Sequence, residues 1–258
     1  MTIALAEILG ISQAWLLLGM LVFLRVGTAF LVLPAIAEQF IPLRVRLGAA
    51  LAMTALLTPA LTSEFPIGTT PDLAARHFAT EPVAGLVLGL GVRFVAMALQ
   101  MAGTMAAQAT SLSQLGGGVT PEPQPAISGL LFMAGLTLAM MTGLHVHLAR
   151  MFLASYAVLP VGEFPPANEL AEWAVHRVGS VFSLAFSLAA PFVISSLLYN
   201  LALGVINKAM PQLMVALVGA PAISLASLVL LLISLPFLLP IWFSAFETAV
   251  SNPMAPLP

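Results

Sequence analysis

"VGSVFSLAFSLAAPFVISSLLYNLALGVIN", residues 178–207, carries no charged side chain, and neither does the stretch from Ala209 to Phe246 beyond Lys208. Crossing ~30 Å of hydrocarbon as a helix takes about 20 residues, so each stretch is long enough to span a bilayer. Strands are disfavoured in the same surroundings, because an open sheet edge in lipid leaves backbone N–H and C=O groups unpaired. The roughly ten-residue alternation of a membrane barrel is also missing. These segments therefore read as helices, and the chain as an all-α, membrane-associated protein. Its composition agrees: 60% of the 258 residues are apolar and 7% charged, against roughly 45–50% and about 25% in soluble domains.

Working outward from that stretch, four more apolar segments appear. They run from about Ile8 to Ala37 with Arg25 inside, from Leu47 to Leu61, from Pro82 to Leu112 with Arg93 inside, and from Ala126 to Ala149. The last segment, 209–246, holds Pro221, Pro236 and Pro240 and is expected to bend or form a hairpin. Between the fourth and fifth lies "VGEFPPANELAEWAVHR", residues 161–177. Asn168 there suits an N-cap, Glu169 and Glu172 suit a first helical turn, and Trp173 suits a membrane interface, which predicts a short surface helix.

Charge excludes several function classes and leaves orientation open. A net charge of −2 offers nucleic acid no footprint. With no cysteine there is neither disulfide nor thiolate chemistry. No Lys or Arg precedes Arg25, so the first apolar run lacks the basic flank of a cleaved signal and is expected to be retained. In a six-span serpentine, Arg44, Arg46 and Lys208 fall on one side and Arg76, Arg150 and Arg177 on the other. That tie gives no positive-inside bias and argues against a simple serpentine.

Enzymatic chemistry finds little to stand on. His145 and His147 are two positions apart, which sends them to different helix faces; capping or interfacial hydrogen bonding fits them better than a metal, and no metal or cofactor is expected. No paired carboxylates lie inside a span, and the triple glycine at Gly116–Gly118 lacks the strand and lysine of a phosphate loop. Arg25 and Arg93 need explaining, since a mid-span Arg costs about 2.5–3.5 kcal/mol on insertion scales. No acidic residue lies in the apolar runs to pair with them. They either snorkel to head groups or face a partner subunit or a water-filled channel.

Small residues recur at helical spacing: Gly85 and Gly89, then Ala98, Ala102 and Ala106. Such surfaces let helices approach closely in lipid. Met97, Met101 and Met105 form a soft stripe, either ordinary core or the deformable lining of a pore. The stripe leads to "SLSQLGGGVTPEPQP", residues 111–125, where three glycines loosen the backbone and three alternating prolines then stiffen it.

Three blocks carry a resemblance. "FLRVGTAFLVLPAIAEQFIPLRVRLGAALAMT" (23–54), "HVHLARMFLASYAVLPVGEFP" (145–165, with Tyr156, Leu159, Pro160 and Gly162) and "ALGVINKAMPQLMVALVGAP" (202–221, with Asn207, Lys208, Pro211 and Gln212) resemble, in order, the FliR/SctT family of type III secretion export-gate subunits. Lys208 stands where that family usually has Arg.

The resemblance implies a non-enzymatic subunit of the flagellar export gate, in the bacterial inner membrane at the flagellar basal body. Its partners there would be FliP-like and FliQ-like chains, an FlhB-like subunit, membrane lipid and unfolded export substrates. It also implies long, tilted and kinked helical hairpins wound into a hetero-oligomeric cone, with a FliP-like part in residues 1–177 and a FliQ-like hairpin and short tail in 178–258. A plug loop at about 111–125, centred on Leu115, Gly116, Gly117, Gly118, Val119 and Thr120, would close the pore. Met97, Met101 and Met105 are then pore-lining candidates, and Arg25, Arg93, Asn207, Lys208, Pro211 and Gln212 subunit-contact candidates.

A chain this apolar is not expected to fold stably without such cover. The alternative is a secondary transporter of a small solute, with a helix break at Pro191 near Ser195, Ser196, Tyr199 and Asn200.

Overall fold

The computed structural model describes residues 2–62, 75–110, 126–210 and 215–256. Among them it is all-helical: α1 (Thr2–Phe30), α2 (Leu43–Leu61), α3 (Ala75–Thr110), α4 (Ala126–Met141), α5 (Leu144–Val158), α6 (Ala167–Ala209) and α7 (Val215–Ser251). Among the described residues, four helices are long and apolar enough to cross a membrane, within α2, α3, α6 and α7; the broken pair α4–α5 makes five if counted as one span. The protein is an all-α membrane protein, as its charge-free stretches require.

Several boundaries differ from those read in the sequence. The segment 126–149 is two helices, because Gly143 adopts a left-handed φ of 87° that ends the helical path. The polar stretch 161–177 is not a separate surface helix: α6 starts at Ala167, with Leu170 N–H donating to Pro166 C=O, and runs unbroken through Pro191 to Ala209. Asn168 lies inside that first turn rather than capping it. In the final segment α7 is one continuous helix of 37 residues from Val215 to Ser251, running through Pro221, Pro236 and Pro240, so no hairpin forms within it. Proline removes one hydrogen bond and kinks a helix, but it does not oblige the helix to stop.

The chain divides into two compact units. The first takes residues 1–94, 142–177 and 247–257. In it α1 buries Leu18, Leu21, Val22, Arg25, Val26, Ala29, Phe30 and the following Leu33, one stripe at 3.6-residue spacing. Helix α2 packs on α1 and on α5 and buries Ala50, Met53, Thr54, Leu57, Thr58 and Leu61. The hydroxyls of Thr54 and Thr58 donate to their own helix's carbonyls at Ala50 and Thr54, which makes them acceptable in an apolar contact.

Gly85 and Gly89 of α3 face α1 so closely that a Cβ at Gly85 would lie 2.1 Å from Arg25 O, and one at Gly89 2.4 Å from Val32 Cγ2. The small-residue stripe thus serves close packing within the chain.

The second unit takes residues 95–141 and 178–246. Helix α3 continues its small face there through the buried Ala98, Ala102 and Ala106, and a Cβ at Gly103 would lie 2.3 Å from Ser128 Cα of α4. Ser128 Oγ donates to Gln100 O at 2.9 Å. Trp242 of α7 is wholly buried, donates its indole N–H to Val95 O at 2.8 Å, and stacks on Phe246 with centroids 5.0 Å apart. Around this small core the outer faces of α6 and α7 stay apolar. Leu197, Leu198, Leu201 and Val205 are 61–67% exposed, and Leu232 and Phe237 are 75% and 70% exposed.

Candidate functional site

The most elaborate polar arrangement in the described residues is built around Arg25. Its position on the buried stripe of α1 drives the guanidinium into the first unit, where it is 0% exposed. Nε donates to Glu81 Oε2 at 2.8 Å and Nη2 to Glu81 Oε1 at 3.1 Å, a two-pronged pair with α3. Nη1 donates to Ser155 Oγ at 3.0 Å, and Nη2 also to Leu159 O at 2.8 Å. The Tyr156 ring covers the guanidinium, with its centroid 3.8 Å from Cζ.

Each contact answers a physical demand. A buried charge left alone is costly, and a bidentate carboxylate is the partner that best offsets it. The carbonyl of Leu159 lies where α5 has ended, at a residue with φ −123°, and in an apolar medium such a group needs a donor. The turn that follows is fixed by Gly162 in a left-handed conformation (φ 80°), whose N–H donates to Thr80 Oγ1 at 3.2 Å. A Cβ at Gly162 would lie 2.7 Å from His77 Nε2, so only glycine fits.

The acidic partner absent from the apolar runs is Glu81, one residue before the run that begins at Pro82, and among the described residues the Arg25 guanidinium bonds within its own chain. Arg93 has found local partners too: Nη1 donates to Val32 O at 3.2 Å and lies 3.8 Å from Glu38 Oε1, one residue beyond the run that ends at Ala37. Its side chain is 33% exposed, so part of it remains open to a neighbour.

Two further arginines follow the same logic at helix interruptions. Arg46 donates to Glu38 O and Ile41 O in the turn before α2. Arg177 donates to Pro253 O and Ala255 O after α7, and Trp173 Nε1 donates to the same Pro253 carbonyl at 3.1 Å. Trp173, read as an interface anchor, is half-buried in the first unit, where a Cβ on Gly91 would come within 3.1 Å of its ring.

The clasp joins two of the sequence blocks that carried the resemblance: Arg25 comes from the first, and Ser155, Tyr156, Leu159 and Gly162 from the second. A family model described as "Bacterial export proteins, family 1" matches residues 16–249, which include every member of the clasp. The chain belongs to that family. Among its relatives are proteins named "Flagellar biosynthetic protein FliR". The chain is 34% identical to the one from Caulobacter vibrioides over 231 residues, 88% of this chain and 92% of the relative. It is 28% identical to that of Escherichia coli, covering 88% and 87%, and 23% identical to that of Bacillus subtilis, covering 90% and 92%.

Against this membership in bacterial export family 1, the other singled-out residues are placed as follows. Met97 is 37% exposed on α3, while Met101 and Met105 are half-buried beside the buried Ala98, Ala102 and Ala106, so the stripe borders the second unit's core without being absorbed by it. Asn207 and Lys208 are exposed in the last turn of α6, where a cation suits the helix C-terminus. Pro211 and Gln212 lie outside the described residues, as do Leu115, Gly116, Gly117, Gly118, Val119 and Thr120.

The helix break that a solute transporter would use at Pro191 is not formed. Ser195 Oγ donates to Pro191 O at 2.7 Å and Ser196 Oγ to Val193 O at 2.9 Å, both within the continuous α6. Among the described residues, no group of three or more His, Asp or Glu side chains could hold a metal ion.

The sequence reading missed Glu81, Glu38 and Ser155. The signal for the two acids was present, since each abuts an arginine-bearing apolar run.

Proposed function

We propose that this chain is a non-enzymatic core subunit of the flagellar type III protein export gate. It would contribute to the channel for unfolded substrates in the bacterial inner membrane at the basal body, with FliP-like, FliQ-like and FlhB-like chains as neighbours. The observation that carries the reading is similarity to proteins named "Flagellar biosynthetic protein FliR" over nearly the whole of both chains. Family 1 membership and the apolar outer faces of α6 and α7 support it, because surfaces of that size are covered by protein or lipid. In this reading residues 1–177 form a FliP-like part and 178–258 a FliQ-like hairpin with a short tail. Residues 111–125 act as the plug, with Met97, Met101 and Met105 lining the approach to it.

The gate assignment is tested by replacing the Caulobacter vibrioides relative with this chain in a strain lacking its own copy and scoring export of flagellar proteins. Restored export supports the assignment, and a stably produced chain that restores nothing opposes it. Deleting Gly116–Gly118 then tests the plug: a plug predicts ion leakage or altered export with the complex still assembled, whereas a passive connector predicts neither.

A further inference from the structure

A pocket of about 310 Å³ opens where the end of α5, the turn after it and the start of α6 meet the stretch that follows α7. All of its lining belongs to the first unit, and its volume falls in the about 300–1,000 Å³ range of sites that hold a small ligand. Phe164, Leu170 and Trp173 give it apolar walls, and Glu163 and Glu169 belong to the same lining. Both glutamates are exposed, and neither is ion-paired among the described residues. Glu169, in the first turn of α6, shares part of its charge with the helix N-terminus. Glu163, in the turn between the helices, keeps its own.

The lining is rich in acceptors and poor in donors. Pro160, Pro165 and Pro166 have no N–H to offer. The N–H groups of Leu159, Glu163 and Leu170 are already given to Ser155 O, Pro160 O and Pro166 O, and the indole N–H of Trp173 to Pro253 O. No basic residue lines the pocket. Arg177 lies beside it over the Trp173 ring, but is buried and turns its Nη2 to the carbonyls of Pro253 and Ala255 rather than to either glutamate.

We propose that this pocket receives a lysine side chain from a neighbouring polypeptide, with its methylene stem along Phe164, Leu170 and Trp173 and its ammonium at Glu163 and Glu169. Two carboxylates on separate elements suit the three rotatable donors of an ammonium, whereas the fork of a guanidinium matches a single carboxylate. A phospholipid head group fits poorly, because its phosphate would meet two carboxylates and few free N–H groups. The inference concerns the first unit alone and does not require the neighbour to be a gate subunit.

The test titrates the full-length chain in mild detergent with three probes, read by ligand-observed NMR. They are lysine blocked at both backbone ends, norleucine blocked in the same way, and phosphoethanolamine. Blocked lysine should bind well above the other two. Glu163→Gln and Glu169→Gln, at exposed positions, should each weaken it up to about fivefold, the equivalent of the about 1 kcal/mol that an exposed ion pair reaches. In the double variant lysine should bind no better than norleucine.

A carbodiimide, which condenses a carboxylate with an amine held against it, then identifies the source in native membranes. The expected product joins Glu163 or Glu169 to a lysine of another polypeptide, and is lost in the double variant. Equal binding of lysine and norleucine, binding unchanged in the double variant, or carbodiimide products with lipid amines alone or with nothing would overturn the proposal.

Discussion

Arg25 Nε lies 2.8 Å from Glu81 Oε2, joining residues 56 positions apart, and neither side chain is more than 1% exposed. The pair ties α1 to α3, and through Ser155 and Leu159 it ties both to the end of α5. The first unit is thus organised around a charge that no single helix could carry into an apolar medium.

Removing one member of this pair should therefore cost more than removing both. Arg25→Leu leaves a buried carboxylate and an unmet Leu159 carbonyl, and loss of one partner of a buried pair costs about 3–5 kcal/mol. The double change Arg25→Leu with Glu81→Leu removes both charges and should recover part of that loss. Thermal unfolding in detergent, run on the two single variants and the double, gives the coupling. Additive losses would contradict the clasp.

Two glycine-to-alanine changes should act in opposite directions. Gly85→Ala places a Cβ 2.1 Å from Arg25 O, which forces α1 and α3 apart at an overpacking cost of about 1–3 kcal/mol. Gly48→Ala, inside α2, meets nothing within 4 Å and should stabilise by roughly 0.5–1 kcal/mol through the helix propensity of alanine. The same unfolding assay checks both signs.

Trp242 anchors the second unit by shape and by one hydrogen bond. Trp242→Ala should cost about 3–5 kcal/mol through the cavity it leaves. Trp242→Phe keeps most of the ring but loses the N–H to Val95 O, and should cost about 0.5–1.5 kcal/mol. Comparable losses for the two would mean that its packing, which brings the indole to Gly135, is not what holds it.

The helices of this protein were legible in the sequence because lipid leaves the backbone few choices, and 30 Å of hydrocarbon sets their length. The interruptions were harder to read. Pro191 suggests a break but sits in a continuous helix, whereas Gly143, between Thr142 and Leu144, makes a real one. The polar stretch before Arg177 looked separate because its composition changes, yet α6 carries one hydrogen-bonding pattern through both compositions.

The clasp was half legible. Arg25 was visible as a charge needing an explanation, and Tyr156, Leu159 and Gly162 as parts of a motif. Glu81 was hidden by a boundary drawn one residue late, and the joining of α1 to α5 is a tertiary fact that spacing along the chain does not carry. What covers α6 and α7 is not written in their sequence, since an apolar face made for lipid and one made for a sister chain have the same composition.

That last ambiguity is where the account is most directly tested. The chain has no cysteine, so a single one introduced at Leu201 or at Leu232, 66% and 75% exposed, can be crosslinked in native membranes without background. The account predicts crosslinks from both positions to FliP-like or FliQ-like chains, in a complex of fixed composition. Cysteines that react only with a lipid-soluble maleimide and join no protein, on a chain that purifies alone, would contradict it.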